Sequence, residues 1–235
     1  MNTYPTVVAR PKNKKQHFYN DLKRRILTME LAPGCDMDEV ALSKEYQISR
    51  TPLRDVLRTL AGEGYLEIRD NRGAKVSSMD QKTLREFFQV APMVYAAVSR
   101  LAAQNRSEQQ IAELERIQKR FMKAIETDNV DDKVYYNDAF HSLIGEMADN
   151  AFLMPSLRRL LIDHARISQT FYRPSNKKML NAVKTAAHHH DLMIKAFRDR
   201  DEDSAASLAI EHWELSRQQI EAFVMPDSLE IGLGE

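Results

Sequence analysis

A mostly helical fold in two parts is what this 235-residue sequence predicts: an N-terminal winged helix-turn-helix followed by an all-α antiparallel bundle. Three observations lead there. Ser49-Arg50-Thr51-Pro52-Leu53-Arg54 reads as a helix start, with a serine suited to N-capping and a proline that the first turn tolerates. Tyr65–Arg69 and Ala74–Val76 are short alternating segments around a turn, the pattern of a hairpin. Beyond residue 79 the apolar residues recur at helical spacing throughout, with no strand signal.

The elements follow in order. Residues 1–16 are polar and lysine-bearing, an N-terminal arm. From His17 to Met29, Phe18, Leu22, Ile26 and Met29 recur at helical spacing, and Ala32-Pro33-Gly34 turns the chain. Glu39–Tyr46 reads as a short helix, Gln47-Ile48-Ser49 as a tight turn, and Leu53, Val56, Leu57 and Leu60 as the inward face of the next helix. Helix, short turn and arginine-led second helix is the helix-turn-helix pattern, whose second helix enters the DNA major groove. Asp70-Asn71-Arg72-Gly73 turns the hairpin that serves as a wing, and Ser77-Ser78-Met79-Asp80 is a linker. Apolar stripes then run from Leu84 to Leu101 and from Ile111 to Ile125. Further helical patterns cover about 131–148, 152–171, 177–199 and 203–223. The expected division is an arm at 1–16, a winged helix-turn-helix at 17–78, a helical domain at 79–225 and a tail at 226–235.

The bulk numbers narrow the class. A net charge of zero conceals an asymmetry: residues 1–78 hold 14 Lys/Arg against 10 Asp/Glu, and the remainder holds 20 against 24. A basic front and acidic rear suit a nucleic-acid reader joined to a domain that need not touch nucleic acid. The single cysteine, Cys35, forms no internal disulfide, which fits a reducing cytoplasm. Neither a membrane-spanning apolar run nor a signal-peptide core is evident, so a cytoplasmic protein is expected.

Arg50 and Arg54 are four residues apart and share a helix face. An arginine fork matches guanine O6 and N7 in the major groove. Ser49 and Thr51 suit phosphate positioning at the helix start, and Arg58 lies one turn further on. In the wing, Arg72 and Lys75 flank Gly73, whose missing side chain allows close approach to a DNA backbone. The other reading of these charges is a solvated helix face.

Histidines are the second constellation. Asn137 and His141 are four apart on one helix, and later helices carry His190 and His212. Three imidazoles and an oxygen from separate antiparallel helices could hold a divalent metal with positions left for water or ligand. Residue spacing alone leaves alternatives open. Several of the seven histidines could be core or surface residues, and His188-His189-His190 offers three candidates.

The N-terminal part resembles the winged-helix domain of the GntR family of bacterial regulators. The matching residues are Leu31-Ala32-Pro33-Gly34, Ile48–Arg54, Leu57-Arg58-Thr59-Leu60, Gly64-Tyr65-Leu66 and Asn71–Val76. The C-terminal part is similar to the FCD domain of the family's FadR-like branch, through Asn137-Asp138-Ala139-Phe140-His141, Asn150, His190 with Ala196 and Asp201, and His212. The resemblance implies a DNA-binding repressor, and since one recognition helix covers few base pairs, a homodimer reading an inverted-repeat operator is expected. It also implies a divalent transition metal (zinc first, then nickel, manganese or iron) on Asn137, His141, His190 and His212, and a small carboxylate effector. It selects His190 within the histidine run. Two departures stand out. Asn137 occupies a position where aspartate is common, and Ala91 and Tyr95 replace an arginine and a glutamate often found in the first bundle helix. Effector contacts are therefore sought at Arg166 and His164. Trp213, following His212, is expected to point away from the histidines and pack. The competing readings are a regulator whose bundle is a metal-free dimerisation scaffold, and a metal-dependent hydrolase. The hydrolase lacks a companion general base and leaves the helix-turn-helix unexplained.

Overall fold

A computed structural model of the chain describes residues 13–69 and 73–224, with 219–224 as backbone only. Two compact units divide between Ser78 and Met79.

In the first unit, α1 spans Lys14–Leu27, α2 Glu39–Glu45 and α3 Arg50–Gly62, followed by β1 (Leu66–Arg69) and β2 (Gly73–Val76). α1 begins inside the stretch expected to be an arm, because the Asn13 side chain accepts from the Gln16 N–H and starts the helix there. Asp38 caps α2 by accepting from Val40 and Ala41 N–H, both at 2.9 Å. The turn into α3 passes through Gln47, whose φ of 49° reverses the chain within a few residues. Phe18, Leu22 and Ile26 of α1 meet Leu53, Val56, Leu57 and Leu60 of α3 in a buried core. β1 and β2 pair antiparallel with Leu66 opposite Val76 and Glu67 opposite Lys75. The turn at 70–72, including Arg72, lies outside the described residues.

The second unit contains α4 (Gln81–Asn105), α5 (Glu108–Glu126), α6 (Val130–Ala148), α7 (Leu153–Phe171), α8 (Lys177–Asp199) and α9 (Glu202–Val224). Side-chain caps start most of them. Asp80 accepts from Thr83 N–H, Ser107 forms a capping box with Gln110, Asn129 accepts from Asp132 N–H, and Asn176 from Met179 N–H. Asn150 accepts from Phe152 and Leu153 N–H at the head of α7, and Asp201 from Ser204 N–H at the head of α9. At the other end of α8 the buried Arg106 donates to the Phe197 and Arg198 carbonyls of the last turn. α4 lies against α6 and α9, α5 against α6 and α8, and α7 against α6.

One close approach matters for the site. A Cβ on Gly145, one turn beyond His141, would stand 2.4 Å from Leu157 Cδ2. Any side chain at position 145 would have to push the Leu157 side chain of α7 aside. α7 is buried on every side from Leu161 to Gln169.

Candidate functional site: a DNA-reading helix and a buried histidine centre

Ser49, Arg50, Thr51, Arg54 and Arg58 are all exposed around the start and outer face of α3. Ser49 is the N-cap by backbone conformation, but its hydroxyl makes no capping bond to the helix. Arg54 Nε donates to Glu39 Oε2 at 2.9 Å, while its side chain stays 57% exposed. Arg54, Arg58 and Gly73 line one open groove between α3 and the hairpin. Lys75 is placed otherwise: its Nζ lies 2.7 Å from Glu67 Oε2 across the hairpin, with only 16% of its side chain exposed. A phosphate contact by Lys75 would have to exchange that ion pair.

In the second unit, α6, α8 and α9 bring His141, His190 and His212 together. One ring nitrogen from each lies within 4.8 Å of the other two. His141 Nε2, His190 Nε2 and His212 Nδ1 are buried without a hydrogen-bond partner. An unsatisfied buried polar group costs roughly 1–3 kcal/mol, so three in one place call for an explanation. Burial, with the neighbouring imidazoles, holds His190 down to about 3 and both His141 and His212 well below the ordinary histidine value. All three rings are therefore neutral near pH 7, with lone pairs to give. Neutral imidazoles with converging free nitrogens fit a transition metal.

The helix face decides which histidine of the run takes part. His188 is exposed and His189 half-buried, whereas His190 is fully buried, stacked on Phe140 with 3.9 Å between ring centroids. Asn137 is buried one turn before His141, and its Oδ1 accepts from Tyr172 OH at 2.9 Å. An amide oxygen has two lone pairs, so one remains after that bond. Lys133, another turn back, donates to the Tyr172 carbonyl.

Of the two expected effector contacts, His164 belongs to the centre and Arg166 does not. The His164 ring lies 5.1 Å from that of His141, and its Nδ1 is 2.8 Å from Tyr95 OH. Burial holds its pKa down to about 4. Arg166 is fully buried, donates to Asp163 and lies outside the cavity beside the histidines. That cavity, about 10 Å³, is lined by Tyr95, His141, His164, His212 and Trp213 among others. Its size suits one water-sized group. Trp213 therefore does not turn away from the histidines as expected: it lines their cavity and meets Phe88 edge-on. Adjacent helix positions differ by 100°, and a wide indole bridges that angle.

Reading the residues alone missed Gln118. It is buried on α5, and its Oε1 lies 3.0 Å from His190 Nδ1. The available signal was a polar residue within the apolar stripe of Ile111, Leu114, Phe121 and Ile125.

Residues 86–215 match the FCD domain, and residues 14–76 match "Bacterial regulatory proteins, gntR family". The HTH-type transcriptional repressor RspR of Escherichia coli K12 is 29% identical over 199 residues, covering 84% of each chain. The gluconate operon transcriptional repressor of Bacillus licheniformis is 21% identical over 78% of this chain and 75% of its own. The solved structure of E. coli McbR/YncC has the same fold, with a TM-score of 0.72 at 19% identity over 90% of this chain and 97% of that one.

Proposed function

Since the chain belongs to the gntR family of bacterial transcriptional regulators, in the branch with an FCD domain, we propose that a divalent metal in its histidine centre sets its affinity for DNA. The chain is a DNA-binding regulator and not an enzyme. Members of the family bind operators. Among the described residues no helix is long and apolar enough to cross a membrane.

At the DNA, Arg50 and Arg54 would read guanines in the major groove, with Ser49 and Thr51 on phosphates at the start of α3. Arg58, Gly73, Lys75 and the wing residue Arg72 would meet the backbone. One recognition helix covers few base pairs, so a homodimer on an inverted repeat is the working unit, acting in the cytoplasm as a repressor.

In the bundle, His141, His190 and His212 would hold zinc or a neighbouring ion such as nickel, manganese or iron, with the Asn137 oxygen as the fourth protein donor. The bound ion supplies a Lewis-acid centre that a small carboxylate can reach. The cavity of about 10 Å³ holds one water-sized group, so binding a carboxylate would require its lining side chains to move. A ligand that favours one arrangement of the bundle must change operator affinity by the same coupling free energy. The reading is carried by the three converging, buried and unpartnered ring nitrogens.

Elemental analysis of the purified protein tests it. The wild-type and His188→Ala chains should carry about one equivalent of transition metal and the His190→Ala chain none. Equal content in the two variants would reject the assignment.

A further inference from the structure

We propose that Gln118 is a positioning residue of the metal centre: it fixes His190 in the tautomer whose Nε2 lone pair faces His141 and His212. The inference rests on the metal reading above and adds a residue from α5, a helix that supplies none of the three histidines.

Gln118 Nε2 donates to the Ala187 carbonyl and to Asp191 Oδ1, both at 3.0 Å. Two acceptors on that side fix which end of the amide is nitrogen. Oε1 is thereby turned to His190 Nδ1 at 3.0 Å. An amide oxygen cannot donate, so Nδ1 must carry the proton. A neutral imidazole has one N–H, which leaves Nε2 as a bare lone pair. That nitrogen is buried and unpartnered, and its ring belongs to the group of three histidines. Phe140 stacks 13° from parallel on the ring, and Phe121 lies 5.1 Å away, so the ring plane is held as well. Metal-binding histidines commonly give their second ring N–H to an acceptor in this way, which sets both tautomer and orientation. Without the acceptor, the ring is free to put its proton on Nε2, the nitrogen a metal needs.

The test compares full-length wild-type, Gln118→Met and Gln118→Glu chains. Methionine keeps the volume and removes the acceptor. Glutamate in the amide's place keeps an oxygen that accepts from Nδ1–H. Zinc titration of the chelated proteins against a chromophoric competitor should give a Kd about 10–100-fold weaker for Gln118→Met and within about threefold of wild type for Gln118→Glu. Nitrogen-15 NMR of the metal-free proteins should show His190 protonated on Nδ1 in wild type and Gln118→Glu, and on Nε2 to a substantial degree in Gln118→Met. Wild-type zinc affinity in Gln118→Met, equal losses in both variants, or an Nε2–H on wild-type His190 would each overturn the proposal. A wild-type chain that binds no zinc overturns the metal reading itself, and the NMR measurement tells that failure apart from this one.

Discussion

His190 is the member of its three-histidine run that faces inward, and the reason is visible in its neighbours. Val183, Ala186, Ala187, Met193, Ile194 and Phe197 share its side of α8, so the folded helix buries it while His188 stays exposed; residue spacing leaves the three histidines open, and the family resemblance selects His190. Asn137 was equally readable as an inward residue, but its bond to Tyr172 was not, because a contact between residues 35 positions apart leaves no periodic trace. The arginines of α3 were read from local sequence and stand exposed as expected, whereas the pairing of Lys75 with Glu67 depends on strand register. At this scale we predict that Arg50→Ala and Arg54→Ala keep the fold and lose operator discrimination. Each good guanine contact is worth roughly 1–3 kcal/mol. Fluorescence anisotropy at fixed salt, comparing operator with unrelated DNA, measures the loss; specific affinity within twofold of wild type for both would reject the DNA assignment.

Helices were the most readable level, because the apolar spacing that marks them is local. Asp38, Asp80, Ser107, Asn129, Asn150, Asn176 and Asp201 each accept from a backbone N–H at or near a helix start, and each of those starts fell within a few residues of its expected place. How near two helices pack is not local. Nothing in the pattern around Gly145 reveals that Leu157 of α7 fills the space a side chain would take. Gly145→Val should destabilise the protein by roughly 1–3 kcal/mol, since the added carbons meet a leucine that is itself only 1% exposed. Urea unfolding of the chelated protein measures this, and an unchanged midpoint would show that α6 and α7 have room to part. Gln118 belongs at this level too. A polar residue on a buried stripe signals a partner, though not which one.

At the scale of the whole molecule, pH offers a probe of the second unit. Burial keeps His190 down to about 3 and His164 to about 4, with His141 and His212 also depressed, against an ordinary value of 6.5. An unfolded chain takes up protons below pH 6.5 that the folded chain refuses. Their contribution to stability is thus complete above pH 6.5 and is lost as pH falls toward the folded values. The chelated protein should lose urea resistance steadily from pH 7 to 5, before most carboxylates titrate; a flat profile in that window would contradict the buried neutral cluster. The central claim is that the histidine centre governs DNA binding, and the most direct measurement is operator Kd for chelated protein with and without one equivalent of zinc, in wild-type and His190→Ala chains. We predict a shift of about 5–150-fold in wild type, the usual range of coupling between sites, and none in His190→Ala. The same operator Kd with and without zinc in the wild-type protein would contradict the claim.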